Sequence, residues 1–118
     1  MPVDYVFAGL VVTDRDAAVK WYEKLLGAPP DLYPNDVEAM WQLTGSASLY
    51  LLADAARAGG GVFTMAVDNL DAYLAVLAAR GVTVGAIEEI PGAGRKVVAL
   101  DPDGNAVGVV ELLTASPS

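Results

Sequence analysis

The residues that decide the fold run from Val12 to Gly27, VTDRDAAVKWYEKLLG, and follow an apolar run over residues 5–12. The apolar run is typical of a β-strand. The residues after it carry apolar side chains at positions i, i+4 and i+8, which is typical of a helix. Asp14 is a suitable N-cap, and Gly27 stands where a left-handed glycine ends a helix. The stretch therefore predicts a strand followed by a helix over residues 14–26.

The same pattern returns 55 residues later, where Val67 matches Val12 and Asp71 matches Asp16. A second strand and helix are predicted there, and glycines at 59–61 mark a flexible link between the halves. Each half is predicted to continue with further strands, so that each is a strand–helix–strand unit whose apolar sheet face needs the other half to cover it. The predicted later strands span 37–43, 47–53, 82–90, 95–100 and 106–112, with a loop or short edge strand near 29–36 and a frayed tail at 115–118.

Composition excludes several kinds of chemistry and of partner. The 118 residues include no Cys and no His and carry a net charge of −8. Disulfides, thiolate nucleophiles, imidazole bases and imidazole metal ligands are therefore excluded. The negative charge opposes nucleic acid and anionic membrane surfaces, and no apolar run is long enough for a membrane span. The sequence predicts one domain over residues 1–118 that is located in the cytoplasm.

Three motifs, in order along the chain, resemble the vicinal oxygen chelate superfamily, which contains glyoxalases, bleomycin resistance proteins and extradiol dioxygenases. Val12-Thr13-Asp14 with Val19-Lys20-Trp21-Tyr22 resembles the opening signature, and Val67–Ala72 resembles the opening of a second module. Pro91–Arg95 with Asp101–Asn105 resembles the closing hairpin. The resemblance covers nearly the whole chain. It implies an α+β fold of two βαβββ modules, about 1–56 and 60–114, whose curved mixed sheet encloses a cavity.

In the metalloenzymes of that superfamily, His and Glu side chains hold a divalent metal in the cavity. The resemblance places the four ligand positions at Phe7, near Tyr50, at about Val62 and at Gly108, where this sequence has neither residue type. We therefore expect no metal and no cofactor. Metal-assisted isomerisation and dioxygenation are not expected either.

Alternation along the strands predicts which residues line the cavity. If Phe7 faces the cavity, then Gly9, two residues later on the same strand, also does. The same alternation points Val62, Thr64 and Gly108 of the second module into the cavity. An aromatic lining with small residues and few polar groups suits a flat organic molecule, although such residues also serve as ordinary core. The predicted ligand-binding residues are Phe7, Gly9, Trp41, Tyr50, Val62, Thr64 and Gly108; no catalytic residue is predicted.

Three functions remain open at this stage. The first is a metal-free homodimer that binds a small organic ligand, a planar or cationic aromatic compound such as an antibiotic, in a groove between its subunits. The acidic charge and cation–π contacts favour a cation there. The second is a metal-independent lyase or isomerase that uses Tyr5 or Tyr50 as acid or base. The third is a vestigial dimeric module, and Arg95 is an alternative anchor for an anionic ligand.

Overall fold

The structure is a computed structural model that describes residues 2–113, so the predicted tail at 115–118 lies outside the described residues. The order of elements follows the duplication expected from the sequence. The first module contains β1 (Val6–Val12), α1 (Arg15–Leu26), β2 (Leu32–Asn35), β3 (Glu38–Thr44) and β4 (Ala47–Ala53). A short 3-10 helix (Ala55–Arg57) leads to the second module. The second module contains β5 (Val62–Ala66), α2 (Leu70–Ala79), β6 (Glu88–Ile90), β7 (Gly94–Leu100) and β8 (Ala106–Leu112).

The ends of both helices follow from local side-chain chemistry. The Asp14 carboxylate accepts a hydrogen bond from the N–H of Ala17 at 2.9 Å, and the Asn69 side-chain oxygen accepts one from the N–H of Ala72 at 3.0 Å. Each cap satisfies an N–H group that the first turn leaves without a helical partner. Gly27 ends α1 with a φ of 83°, a left-handed conformation that favours glycine.

The strands form two mixed sheets, one in each module. Their orders are β1-β4-β3-β2 and β5-β8-β7-β6, and in each sheet the first strand runs parallel to its neighbour while the other pairs are antiparallel. This arrangement confirms the predicted α+β fold of two βαβββ units. Neither helix in the described part of the chain is long and apolar enough to cross a membrane.

One strand is much shorter than predicted. The sequence alternation predicts a strand over 82–90, but only Glu88–Ile90 pairs with β7. The N–H of Val82 instead donates to the carbonyl of Leu77 at 2.9 Å and closes the end of α2. The Val82 side chain is buried in the core. The alternation that predicted a strand therefore comes from a loop that packs on the core, and the prediction for 82–87 is wrong.

The two modules share one hydrophobic core on the helix side of their sheets. Leu10 and Leu49 from the first module and Val107 from the second belong to the same buried cluster. The helices are also joined directly, because the Tyr73 hydroxyl donates to the carbonyl of Leu25 at 2.6 Å. Since β1 lies beside β5, the modules pair within one chain.

The opposite sides of the two sheets are exposed, and we call this surface the open face. Large apolar side chains are solvent-accessible there: the exposed fraction is 60% for Phe7, 77% for Val62 and 64% for Leu100. The register of the two sheets assigns the following residues to the open face: Phe7, Gly9, Met40, Gln42, Tyr50, Val62, Thr64, Lys96, Val98, Leu100, Ala106 and Gly108.

The turn between β7 and β8, Asp101–Asn105, ties the second module to the first. The Asn105 amide nitrogen donates to the carbonyl of Val11 at 2.9 Å, and its oxygen accepts from the N–H of Gly61 at 2.8 Å. The buried Tyr22 hydroxyl donates to Asp101 at 2.8 Å. Burial and then this carboxylate hold the pKa of Tyr22 well above its usual range. The turn therefore fastens the ends of both sheets to α1.

Candidate functional site

The first-module part of the open face is an aromatic surface around Phe7. The Tyr5 and Phe7 rings lie with their centroids 4.7 Å apart, and the Tyr5 hydroxyl forms a 2.6 Å hydrogen bond with the Ser48 hydroxyl. Gly9 follows on the same face, directly opposite Tyr50 on β4. The predicted positions of Phe7, Gly9 and Tyr50 on one surface therefore agree with the structure.

The absence of a side chain at Gly9 gives the Tyr50 ring its position. A Cβ atom placed on Gly9 would lie only 2.6 Å from the Tyr50 hydroxyl oxygen and 2.8 Å from a ring carbon. The phenol ring therefore lies directly on the backbone of β1. Glycine permits this close approach, which any other residue would obstruct. The result is a flat aromatic surface next to the Tyr5–Phe7 pair.

In the second module, two side chains converge over another glycine. Gly108 lies opposite Thr64, and a Cβ atom placed on Gly108 would meet the Thr64 hydroxyl oxygen at 3.0 Å and Lys96 Cε at 3.2 Å. Val62 precedes Thr64 on the same face and is largely exposed. Sequence analysis predicted Val62, Thr64 and Gly108 but missed Lys96. Alternation along β7 would have found it, because Lys96 and Val98 point to the same side.

Trp41 does not lie on the open face, and the prediction that it does is wrong. Its exposed fraction is 2%, its ring lies 6.0 Å from that of Tyr22, and its indole nitrogen donates to the carbonyl of Ala28 at 2.9 Å. The cause is an irregularity in the β3–β4 ladder between Gln42 and Thr44. On the side of this irregularity away from the turn, Trp41 pairs with Leu49, and the earlier residues of β3 shift with it to the opposite face.

Arg95 is held by acidic residues of its own module. Its guanidinium lies 3.2 Å from both Asp71 and Glu111, and Glu111 also accepts a hydrogen bond from the N–H of Leu70 at the start of α2. That backbone N–H and then Arg95 hold the pKa of Glu111 below its usual value. Because two carboxylates already balance its charge, Arg95 anchors α2 and does not serve the open face.

A cavity of about 450 Å³ lies where the two modules meet. Its lining is mostly apolar and comes from the start of β1, the β3–β4 turn, β5 and α2. Of the predicted site residues, Thr64 borders it. The lining residues are Val6, Ala8, Leu43, Thr44, Ala47, Ser48, Phe63, Thr64, Met65, Ala66, Val67 and Tyr73.

The four positions inferred for metal ligands do not suit a metal. Phe7, Val62 and Gly108 offer no donor atom, and the fourth position, at Tyr50, offers a phenol packed against β1. Within residues 2–113, no three Asp or Glu side chains come close enough together to hold a metal ion. Since a bound cation needs several converging donors, we assign no metal-dependent step to these residues.

Paired βαβββ modules with an exposed sheet surface define a recognisable class of fold. Residues 3–109 match the model of the glyoxalase/bleomycin resistance protein/dioxygenase superfamily, and the chain belongs to that superfamily. No protein of curated function matches the sequence closely enough to count as a relative.

Solved structures place the chain among diverse members of the superfamily. A glyoxalase/bleomycin resistance protein from Catenulispora acidiphila is 41% identical, with 92% of this chain and 97% of that chain covered and a TM-score of 0.85. An antibiotic-binding protein from Streptomyces sp. CB03234 is 25% identical, with 95% and 98% covered and a TM-score of 0.77. A lactoylglutathione lyase from Agrobacterium tumefaciens is 23% identical, with 94% and 96% covered and a TM-score of 0.76. The last likeness concerns the fold alone.

Proposed function

We propose that this protein binds and sequesters a planar organic molecule on its open face without a metal. The observation that carries the proposal is that the Tyr50 ring lies on Gly9 beside the Tyr5–Phe7 pair, in which Phe7 is exposed. An exposed apolar patch is typical of a surface that binds a ligand or a partner. Their flat faces suit stacking on an aromatic ligand.

Similarity to an antibiotic-binding protein over nearly the whole of both chains supports this proposal. The absence of metal donors at Phe7, Val62 and Gly108 favours binding over the metal-assisted reactions of the superfamily. A metal-independent enzyme is less well supported, because the Tyr5 hydroxyl bonds to the neutral Ser48 hydroxyl. A proton-transfer site needs a base or an acid beside the tyrosine, and neither contacts it within the described residues.

We also propose that the protein is a homodimer in the cytoplasm. Phe7, Val62 and Leu100 are large apolar side chains exposed on one side of the molecule, and a second copy would cover part of this surface. The lack of cysteine agrees with a reducing compartment. Sedimentation should give a mass near twice 12.2 kDa. A monomer throughout a micromolar dilution series would contradict the dimer.

The binding proposal is tested with three fluorescent probes that each contain a planar fused ring system: neutral phenylnaphthylamine, anionic anilinonaphthalene sulfonate and cationic proflavine. Tyr50→Ala should weaken binding of the best probe by about 1–3 kcal/mol, as expected for the loss of an aromatic anchor. Tyr33→Ala is the matched control, because Tyr33 is a half-exposed tyrosine on β2 that packs against Arg15. Binding by none of the probes, or equal losses in the two variants, would refute the proposal.

A further inference from the structure

The second-module part of the open face carries the positive charge of Lys96. The Lys96 stem crosses Gly108, and its Cε atom and the Thr64 hydroxyl oxygen both lie within 3.2 Å of the same point above that glycine. The ladder neighbours on the same face, Val98 and Val110, are apolar. The end of the Lys96 side chain and the Thr64 hydroxyl group therefore converge above Gly108, beside Val98 and Val110 and across from Glu88 on β6.

The positive charge of Lys96 lacks the carboxylate partners that its neighbour Arg95 has. Arg95, one residue earlier, has two carboxylate partners at 3.2 Å on the other side of the sheet. Among residues 2–113, no carboxylate oxygen lies within 4.0 Å of the Lys96 ammonium nitrogen, although Glu88 is its ladder partner on β6. A partly buried cation that forms no ion pair with the described residues is a suitable site for an anion.

We infer that the open face selects a planar ligand with an anionic oxygen group, such as a carboxylate, phenolate or sulfonate, which Lys96 and Thr64 hold over Gly108. The inference rests on the proposed function and reverses the ligand charge expected from the net charge of −8. That net charge acts at long range, and salt screens it beyond about 10 Å at 0.1 M. Lys96 acts at contact distance, where apolar neighbours strengthen its attraction. Local charge therefore decides which ligand remains bound.

Anilinonaphthalene sulfonate and phenylnaphthylamine provide the test, because they differ only in the sulfonate group. Lys96→Met keeps an unbranched apolar stem over Gly108 and removes only the charge. It should weaken binding of the sulfonate about tenfold or more and leave binding of the neutral probe within twofold, as expected for losing a charged hydrogen bond. Lys96→Arg should retain most of the affinity for the sulfonate. Lys20→Met, which removes an exposed charge on α1, is the matched control.

The outcomes separate this inference from the proposal on which it rests. If phenylnaphthylamine binds in a Tyr50-dependent manner but Lys96→Met leaves sulfonate binding unchanged, the inference is wrong and the proposed function stands. If Lys96→Met weakens both probes equally, the lysine contributes only packing, and the inference is also wrong. If neither of these two probes binds the wild-type protein, the inference is wrong, and the proposed function then stands only if proflavine binds in a Tyr50-dependent manner. Urea unfolding of each variant verifies that the fold is retained.

Discussion

Replacement of Asp101 by Asn should destabilise the protein strongly, although the two side chains have nearly the same shape. One carboxylate oxygen of Asp101 accepts from the N–H groups of Asp103 and Asn105 at 2.9 and 2.8 Å. The other accepts from the Tyr22 hydroxyl and from the Asn105 amide nitrogen, both at 2.8 Å. An amide at position 101 can keep its oxygen on the two backbone donors, but its own NH₂ group then faces the NH₂ group of Asn105.

Asn105 cannot turn to relieve this conflict. Its oxygen is already used by the N–H of Gly61 and its nitrogen by the carbonyl of Val11. Asp101→Asn therefore leaves a buried N–H without a partner, which costs about 1–3 kcal/mol, and it weakens two bonds by removing the charge. We expect a total loss of about 2–4 kcal/mol in the free energy of unfolding. This is a large part of the 5–15 kcal/mol typical of a domain.

Urea unfolding followed by tryptophan fluorescence measures this loss, because the Trp21 ring lies 4.8 Å from that of Tyr22. Tyr22→Phe removes one of the four bonds and should cost less than Asp101→Asn. Asp54→Asn is the matched control, since Asp54 pairs with the exposed Arg57 on the 3-10 helix. A loss for Asp101→Asn no greater than that for Asp54→Asn would refute the reasoning.

Three further predictions concern other parts of the molecule. Gly9→Ala should push the Tyr50 ring off β1 and weaken binding of phenylnaphthylamine several-fold. The urea midpoint should change little, because the Tyr50 side chain can move aside. An unchanged affinity would contradict this. Glu111 has a lowered pKa in the folded state, so its contribution to stability is present above about pH 4.3 and is lost as the pH falls through the lower folded value. The melting temperature of Glu111→Gln should therefore depend less on pH between about pH 5 and 3 than that of the wild type. A curve parallel to the wild type would contradict this. Trp41→Phe should lower stability by about 1–3 kcal/mol, because the carbonyl of Ala28 loses its donor and the core loses volume, without changing probe affinity; a large loss of affinity would return Trp41 to the site.

The sequence predicted most of the fold because its strongest signals are local. The cap at Asp14, the glycine at Gly27 and the alternation along β1 and β5 are each decided by neighbouring residues. The face occupied by Trp41 was not predictable in this way. A simple two-residue hairpin at Gly45-Ser46 would have paired Trp41 with Tyr50. The irregularity between Gln42 and Thr44 changes that pairing. Its position depends on how the chain packs, which alternation does not record.

Alternation along β7 places Lys96 on the open face, but local reasoning does not show whether its charge has an ion-pair partner. Its sequence context, between Arg95 and Val97, does not distinguish it from the arginine beside it. Only the positions of Asp71 and Glu111 on the helix side show that one charge is balanced and the other is not. The inference of an anionic ligand therefore depends on long-range pairing, whereas composition alone favoured a cationic one.

The two glycines of the open face occupy opposite places in the duplicated plan. In the first module Gly9 on β1 makes room for Tyr50 on β4, whereas in the second module Thr64 on β5 faces Gly108 on β8. In each of these two pairs, a glycine makes room for the side chain of its partner. The side chain therefore comes from β4 in the first module and from β5 in the second, which do not correspond in the duplication. Under the proposed function, a ligand that spans both halves would meet no internal twofold symmetry and would bind in one orientation, with its aromatic end toward Tyr50.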